Sequence, residues 1–455
     1  MTSSRPAARP PAQGGPGVAR AGSPAPGGRQ IDRTGDPGVP TAAGHGLPAP
    51  APAPWVVRRL FPLLATVGFI AIGMAVTIWW GPDIVGKTTW SLPVDLWGTL
   101  VAGQRLAHLG LGGLYTQPTG LVSLPGTAVI LVPVAAIIDA AGFSLQVPSP
   151  HNAHPDAWLL AGPYQMAISS ITLFAADAIA GRLGVTRLKR AALAAAGSVT
   201  LWNVSVLWGH PEDAVAVGLL LFAILALSDA RPRRSAWLTG AAVAVQPLVL
   251  LALPVMLVAI EPRRLIGFLT RAAAPGAVLL AAAAAANWTA TFHAVTSQPN
   301  WPGVDHPTPW NSLAPHLAGG AVAAGPARAV TVLVACGCAV VAGRRWRAAR
   351  QAGPWSPETL QEVVWWAAVA LALRSVFEPV MVAYYLWPVL AVALIVASRR
   401  WPYLIATSVV TTALTFGSQV TWRGTWNWWA PMVAGLAITL VLARVPLRKS
   451  APGLP

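Results

Sequence analysis

Acidic side chains are scarce in this chain, with 15 Asp and Glu against 31 Lys and Arg in 455 residues. Two of them, Asp83 and Asp95, fall in one polar stretch, Gly81–Pro118, directly after the first apolar run. A carboxylate there has the chemistry of a general base, able to take a proton from a hydroxyl at a membrane surface. Asp95 is the stronger candidate, because a plain turn at Gly81-Pro82 already explains Asp83. A second reading of Asp95 stays open, as the N-cap of an amphipathic helix whose Leu96, Leu100, Leu106 and Leu109 lie along the membrane surface. Cations that suit a phosphate are Arg105 and His108 on the same helix. Arg374 also suits one: it stands in an apolar run and must either pair with Glu378 four residues on or face a cavity.

A further cluster, His210, Glu212 and Asp213 in Trp208-Gly209-His210-Pro211-Glu212-Asp213, heads an apolar helix. Two carboxylates and an imidazole are costly in lipid and therefore candidates for function. A helix start explains them equally well, since acids favour the first turn and Pro211 suits the first helical position. Aromatic rings among polar neighbours at His293, Trp301, Asp305, His306 and Trp310 suit a sugar, and a Pro-rich wet loop between spans has the same composition. The His151, His154 and Asp156 group reads as a solvated turn before it reads as a metal site.

Composition fixes what must position these residues. With 55% hydrophobic and 10% charged residues, the chain departs far from soluble globular proteins, of which about a quarter of residues are charged. It reads as a multi-pass protein of the cell membrane, with its 22 Trp suited to the interfacial belts. The net charge of +16 comes from short basic clusters between apolar runs, the positive-inside pattern, and nucleic acid is not an expected partner. Cys336 and Cys338 read as packing residues in an apolar run.

Three regions follow. Residues 1–54, rich in Pro, Gly and Ala, read as a disordered cytoplasmic tail, and 446–455 as a second tail. Residues 55–445 form an all-α transmembrane bundle of about 11–13 spans, each near the ~20 residues a bilayer needs, with outer loops at 81–118 and 289–321. Mid-span prolines at 125, 133, 247, 254 and 388 imply a cavity that satisfies the freed carbonyls. Charge fixes the sidedness at both ends of the sequence and conflicts with it in the middle. If 119–142 and 157–181 both cross, Arg182–Arg190 and Arg231–Arg234 fall outside, so either one run is re-entrant or those arginines hold lipid phosphates. A break at Gln246-Pro247 is expected inside the 236–260 run.

The stretch Val94-Asp95-Leu96-Trp97, Ala107-His108-Leu109-Gly110 and Leu114-Tyr115 resembles the Asp-bearing first outer loop of GT-C-fold glycosyltransferases. The polyprenyl-phosphate-mannose-dependent mannosyltransferases of actinobacteria are the nearest in pattern. Gly209-His210-Pro211-Glu212-Asp213, Gln246-Pro247 and Phe377-Glu378-Pro379 through Tyr384-Tyr385-Leu386-Trp387-Pro388 resemble further segments of that family, in order, across roughly residues 60–400. Three positions depart from it: Gln246 replaces a Lys, Tyr384 replaces a His, and Ser123-Leu124-Pro125-Gly126 replaces Tyr-Pro-Pro. The resemblance implies a GT-C-like fold and transfer of a sugar, mannose first, from a polyprenyl-phosphate-sugar donor to a lipid or cell-envelope glycan acceptor on the extracytoplasmic face. It implies Asp95 as the base, with Asp83, Arg105, His108, His210, Glu212, Asp213, Gln246, Arg374, Glu378 and Tyr384 around substrate and membrane lipids as neighbours. No cofactor is required by these residues, and a divalent metal is left open. Competing readings are a transporter or lipid flippase using Asp139 and Asp177 as a proton relay, and a family member that has lost activity.

Overall fold

The computed structural model describes residues 59–79, 93–115, 121, 123–145, 156–296, 298–349, 355–420 and 424–444. Asp83, His151, His154 and both tails lie outside them. The described chain is an all-α bundle whose only sheet is one pair of two-residue strands, β1 (His306–Pro307) and β2 (Val380–Met381).

Helix α1 (Leu60–Trp79) is apolar all round and turns Leu64, Val67 and Ile72 outward. The polar stretch contains α2 (Val94–Leu109), which begins after Pro93, so the cap position belongs to Pro93 and not to Asp95. Its Leu96 and Leu100, one turn apart, are fully buried against the bundle, whereas Leu109 is exposed. The expected membrane-facing stripe is thus an inward-facing one at its N-terminal half.

The next apolar run is not one continuous helix. It breaks into α3 (Pro125–Val129) and α4 (Val132–Ala140), because Pro133 has no N–H for the Val129 carbonyl and its ring would clash there. Gly126 fits directly against the α-helical backbone at Ala244, where a Cβ would come within 2.2 Å of the carbonyl oxygen. Thr127 Oγ1 donates to the Val245 carbonyl at 2.6 Å, and α4 packs back on α2. The segment closes near its start: Trp97 Nε1 donates to the Leu145 carbonyl at 3.1 Å.

Then follow α5 (Trp158–Ser169) and α6 (Ile171–Arg182), which together make one 25-residue span. Helix α7 (Arg187–Leu201) runs into a single π turn, Trp202–Leu207. Helix α8 (Pro211–Ser228) is the buried central span. Helix α9 (Pro232–Val245) stops at Gln246, whose extended backbone (φ −149°, ψ 114°) is what a residue before proline adopts. The expected break is there: a 3₁₀ segment Pro247–Ala252 and α10 (Leu253–Leu257) complete the run.

On the outer side lie α11 (Pro262–Ala286), mostly exposed, and α12 (Trp288–Thr296). The loop after them leads to α13 (Gly325–Ala349), with Cys336 on its exposed side, and to α14 (Pro357–Phe377). A 3₁₀ turn, Ala383–Leu386, enters α15 (Trp387–Ala397), every residue of which is buried. Helices α16 (Trp401–Gly417) and α17 (Thr425–Ala443) wrap that core.

Among the described residues seven helices are long and apolar enough to cross a membrane, α5 and α6 counting as one. The other runs counted as spans in the sequence are shorter helices, a helix that passes into a π turn, or broken ones, and are not among the seven.

Ion pairs mark one end of the bundle. Asp177, buried, lies between Arg59 (2.7 Å) and Arg190 (2.6 Å). Arg182 pairs with Asp229, Lys189 Nζ donates to the Arg399 carbonyl at 2.9 Å, and Arg399 reaches Glu358 and Gln361. Every one of these basic residues sits away from Asp95. The conflict in the middle of the sequence therefore disappears: 123–145 begins and ends at the Asp95 end, and the arginines at 182–190 join those at 59 and 399.

Candidate functional site

At the other end, a cavity of about 440 Å³ opens among α2, α3, the start of α8, Gln246 with the 3₁₀ segment after it, α13, α14 and the turn before α15. Gly209 is what lets α2 reach it. Its φ of +69° is a left-handed conformation, and a Cβ there would lie 2.7 Å from Leu96 Cβ and 3.0 Å from Pro93 Cβ. The amide of His210 donates to the Val204 carbonyl at 2.7 Å, fixing the loop on the π turn.

Asp95 and His210 meet across this approach. His210 Nε2 stands 3.0 Å from Asp95 Oδ2, and its Nδ1 stands 2.6 Å from Glu212 Oε1. Tyr384 stacks on the imidazole with ring centroids 3.9 Å apart and planes 21° apart. The His210 and Glu212 side chains are nearly buried at 12% and 5% exposure, while Asp95 is 56% exposed towards the cavity. Burial alone would push the His210 pKa down. The charge of Glu212 and the hydrogen bonds to Asp95 and Glu212 outweigh burial and hold it up at about 10.

Behind this row, Asp213 is fully buried and accepts from Gln246 Nε2 at 2.7 Å. Gln246 lines the cavity because the proline-forced break turns its side chain out of the helical stack. Arg374 also lines it, with its guanidinium 3.5 Å above the Tyr385 ring. Arg374 Nη1 is buried without a hydrogen-bond partner among the described residues. The two options set by sequence resolve towards the cavity, because Glu378 is paired instead with Arg328 at 2.7 Å, and Arg328 also donates to Gln298 at 3.0 Å.

Seven of the sequence candidates thus line one cavity: Asp95, His210, Glu212, Gln246, Arg374, Glu378 and Tyr384. Asp213 stands directly behind them. Arg105 and His108 do not line it. They lie about 15 and 20 Å further along α2 at 1.5 Å per residue, and His108 pairs with Asp139 at 3.2 Å on the outside. The loop 293–316 reaches the cavity through Gln298, Pro299 and Asn300 rather than through its rings. His306 is stacked on Trp428, and Trp310 Nε1 donates to the Val376 carbonyl at 2.8 Å.

Residues missed from sequence are Arg328, Thr127, Ser123 and Tyr385. The available signal for Arg328 was a lone cation at the start of an apolar run, like Arg374 near the end of one. Ser123 and Thr127 share a hydrogen bond at 2.9 Å and present hydroxyls to the cavity.

A second hollow, about 370 Å³ and almost wholly apolar, lies among α9, α10 and the exposed helix α11, lined by Val243, Leu253, Leu269, Ala272 and Gly276. Leu250 lines both spaces, and Leu124 of the apolar one follows Ser123 of the polar one. Among the described residues no group of three or more His, Cys, Asp or Glu side chains is spaced to hold a metal ion. The arrangement offers a carboxylate with an ion-paired imidazole, a guanidinium with an unused N–H, and polar rim groups, beside a lipid-like wall. Neither a family model nor a curated protein matches this chain.

Proposed function

We propose that the protein is an integral membrane glycosyltransferase that uses a polyprenyl-phosphate-linked sugar, mannose first, and passes it to a lipid or glycan hydroxyl. The observation that carries this reading is the convergence of Asp95, 3.0 Å from His210, and of Arg374, whose buried Nη1 has no hydrogen-bond partner among the described residues, on one cavity. Transfer from a lipid phosphate asks for those two groups and for little else. Asp95 removes the acceptor proton as its oxygen attacks the anomeric carbon. The bond from that carbon to the phosphate oxygen breaks with inversion, and the charge left on the phosphate faces Arg374. The apolar hollow that shares Leu250 with the cavity suits the isoprenoid chain.

The GT-C-like fold and the extracytoplasmic placing of the site belong to this same reading. The arginine-rich end opposite the cavity supports the latter through the positive-inside rule. The transporter reading relied on Asp139 and Asp177. Asp177 is locked between two guanidinium groups and Asp139 lies beside His108, which gives a proton path through them little support.

The test is transfer of labelled mannose from polyprenyl-phosphate-mannose to endogenous acceptors in membranes holding equal amounts of wild type, Asp95→Asn and Asp213→Asn. Wild-type transfer reduced by Asp95→Asn at least ~100-fold is expected, within the range of a lost general base. Full activity in Asp95→Asn would remove the base assignment. No transfer by the wild type with several sugar donors would remove the reading itself.

A further inference from the structure

A neutral imidazole has one N–H and one lone pair, so it can satisfy one carboxylate and must turn its lone pair on the other. His210 has a carboxylate oxygen at hydrogen-bond distance from each nitrogen, Asp95 at 3.0 Å and Glu212 at 2.6 Å. With both carboxyls ionised, only the imidazolium, with two N–H groups, fits both. Its buried side chain would ordinarily shed that proton, and Glu212, itself only 5% exposed, is the fixed counter-charge that prevents it.

We propose that His210 and Glu212 are positioning residues that keep Asp95 ionised and aimed into the cavity, making the acid sensitivity of the site a property of this three-residue chain. The proposal rests on the reading of Asp95 as the base. The order is directional: Glu212 secures the charge of His210, and His210 secures that of Asp95. Asp95 Oδ2 is engaged by the ring, and Asp95 lines the cavity. Tyr384, stacked at 3.9 Å, sets the plane of the ring so that both nitrogens point along the row.

The other ionisable groups around the ring are compatible with this charge. From α8 come Glu212 and Asp213, and from α2 comes Asp95. The turn before α15 contributes Tyr384 and Tyr385, and α14 contributes Arg374. Arg374 is held over Tyr385 rather than over His210, so the two cations do not share one acceptor. Two carboxylates directly bonded to the ring therefore dominate.

The sign of the pH effect follows. The folded pKa of His210 lies above 6.5, so the stability from its pairing is complete below about pH 6.5 and is lost as pH rises through about 10. For Asp95 the contact with the imidazolium, 3.0 Å away, favours the charged carboxylate.

Two measurements on the full-length protein test this. The first is the pH–rate profile of sugar transfer, from pH 3 to 9, for wild type, His210→Gln and Glu212→Gln. His210→Gln is expected to move the acid limb upward by about one unit or more, so that at pH values below the limb it keeps roughly tenfold less of its plateau activity than the wild type does. Glu212→Gln is expected to leave the acid limb in place and add a decline near neutral pH, where His210 now discharges. The second is the ¹⁵N spectrum of labelled imidazoles in detergent, with His210 assigned by its loss in His210→Gln. Both nitrogens protonated at pH 8 in the wild type, and discharged at that pH in Glu212→Gln, are the expected result.

A neutral His210 at pH 8 overturns the proposal whether or not transfer is detected. So does an active His210→Gln enzyme whose acid limb has not moved, since a merely structural loss lowers the whole profile evenly. Wild-type membranes that transfer no sugar overturn the proposed function and with it the service done to Asp95, and the imidazole spectrum still reports separately on the ion pairs.

Discussion

The residues at the cavity divide by what holds them. Asp95 and Glu378 are each tied to a cation supplied by a distant part of the chain, whereas Arg374 keeps a buried N–H without an acceptor. An unused donor of that kind costs about 1–3 kcal/mol, which an arriving phosphate oxygen returns. Arg374→Gln is therefore expected to raise the KM for the lipid-phosphate donor by tenfold or more and to leave helix content unchanged, measured by donor titration at fixed acceptor. An unchanged KM would detach the anion site from Arg374. Arg374→Lys is expected to recover little, because the planar guanidinium held 3.5 Å from the Tyr385 ring centre offers a fork of N–H donors that an ammonium does not. The acids were legible before any fold was known, since a carboxylate in an acid-poor, apolar chain is expensive wherever it lies. The pairing of Arg328 was not legible: a lone cation at the start of an apolar run is visible, but its partner Glu378 lies 50 positions later and nothing local indicates it.

Among the elements, the approach of α2 to the start of α8 does the positioning. It depends on Gly209, which is both left-handed and in contact with the Cβ atoms of Leu96 and Pro93. Gly209→Ala is expected to cost about 1–2 kcal/mol for the backbone alone and to push α2 away, lengthening the Asp95–His210 contact. The measurable outcome is a transfer rate lowered at least tenfold, with far-ultraviolet circular dichroism like that of the wild type. A fully active Gly209→Ala would show that α2 is not held by this contact. Sequence reading found the break at Gln246-Pro247, because proline acts on its immediate neighbours. It took Leu96 and Leu100 for membrane-facing residues, because periodicity shows that a helix has an apolar face and does not show what covers it. The N-cap reading of Asp95 failed for a similar reason: one helical start one or two residues away gives the same composition.

At the scale of the whole molecule, charge sorts the two ends, with Arg59, Arg182, Lys189, Arg190 and Arg399 at one and the cavity at the other. In a variant with Cys336 and Cys338 replaced by alanine, single cysteines at Asn300 and at Arg400 are expected to react with a membrane-impermeant maleimide from opposite sides. Asn300 should label in intact cells and Arg400 only after the membrane is opened. Labelling of both from one side would refute the arrangement. Seven described helices have the length and apolarity of a crossing, against about 11–13 apolar runs counted in the sequence, and α3 with α4 is not among the seven. What breaks that pair is Pro133 within it, and what holds it is the partners it meets, Gly126 on the Ala244 backbone and Thr127 on the Val245 carbonyl. Those partners lie 118 positions later in the chain. A ribosome delivering the chain from its first residue has therefore released α3 and α4 well before α9 exists. The pair must wait at the surface or in a provisional crossing, and the last step in forming the cavity wall is a late docking of early chain. Mutations in α9 that never touch the cavity would then surface as errors in how residues 123–145 are inserted.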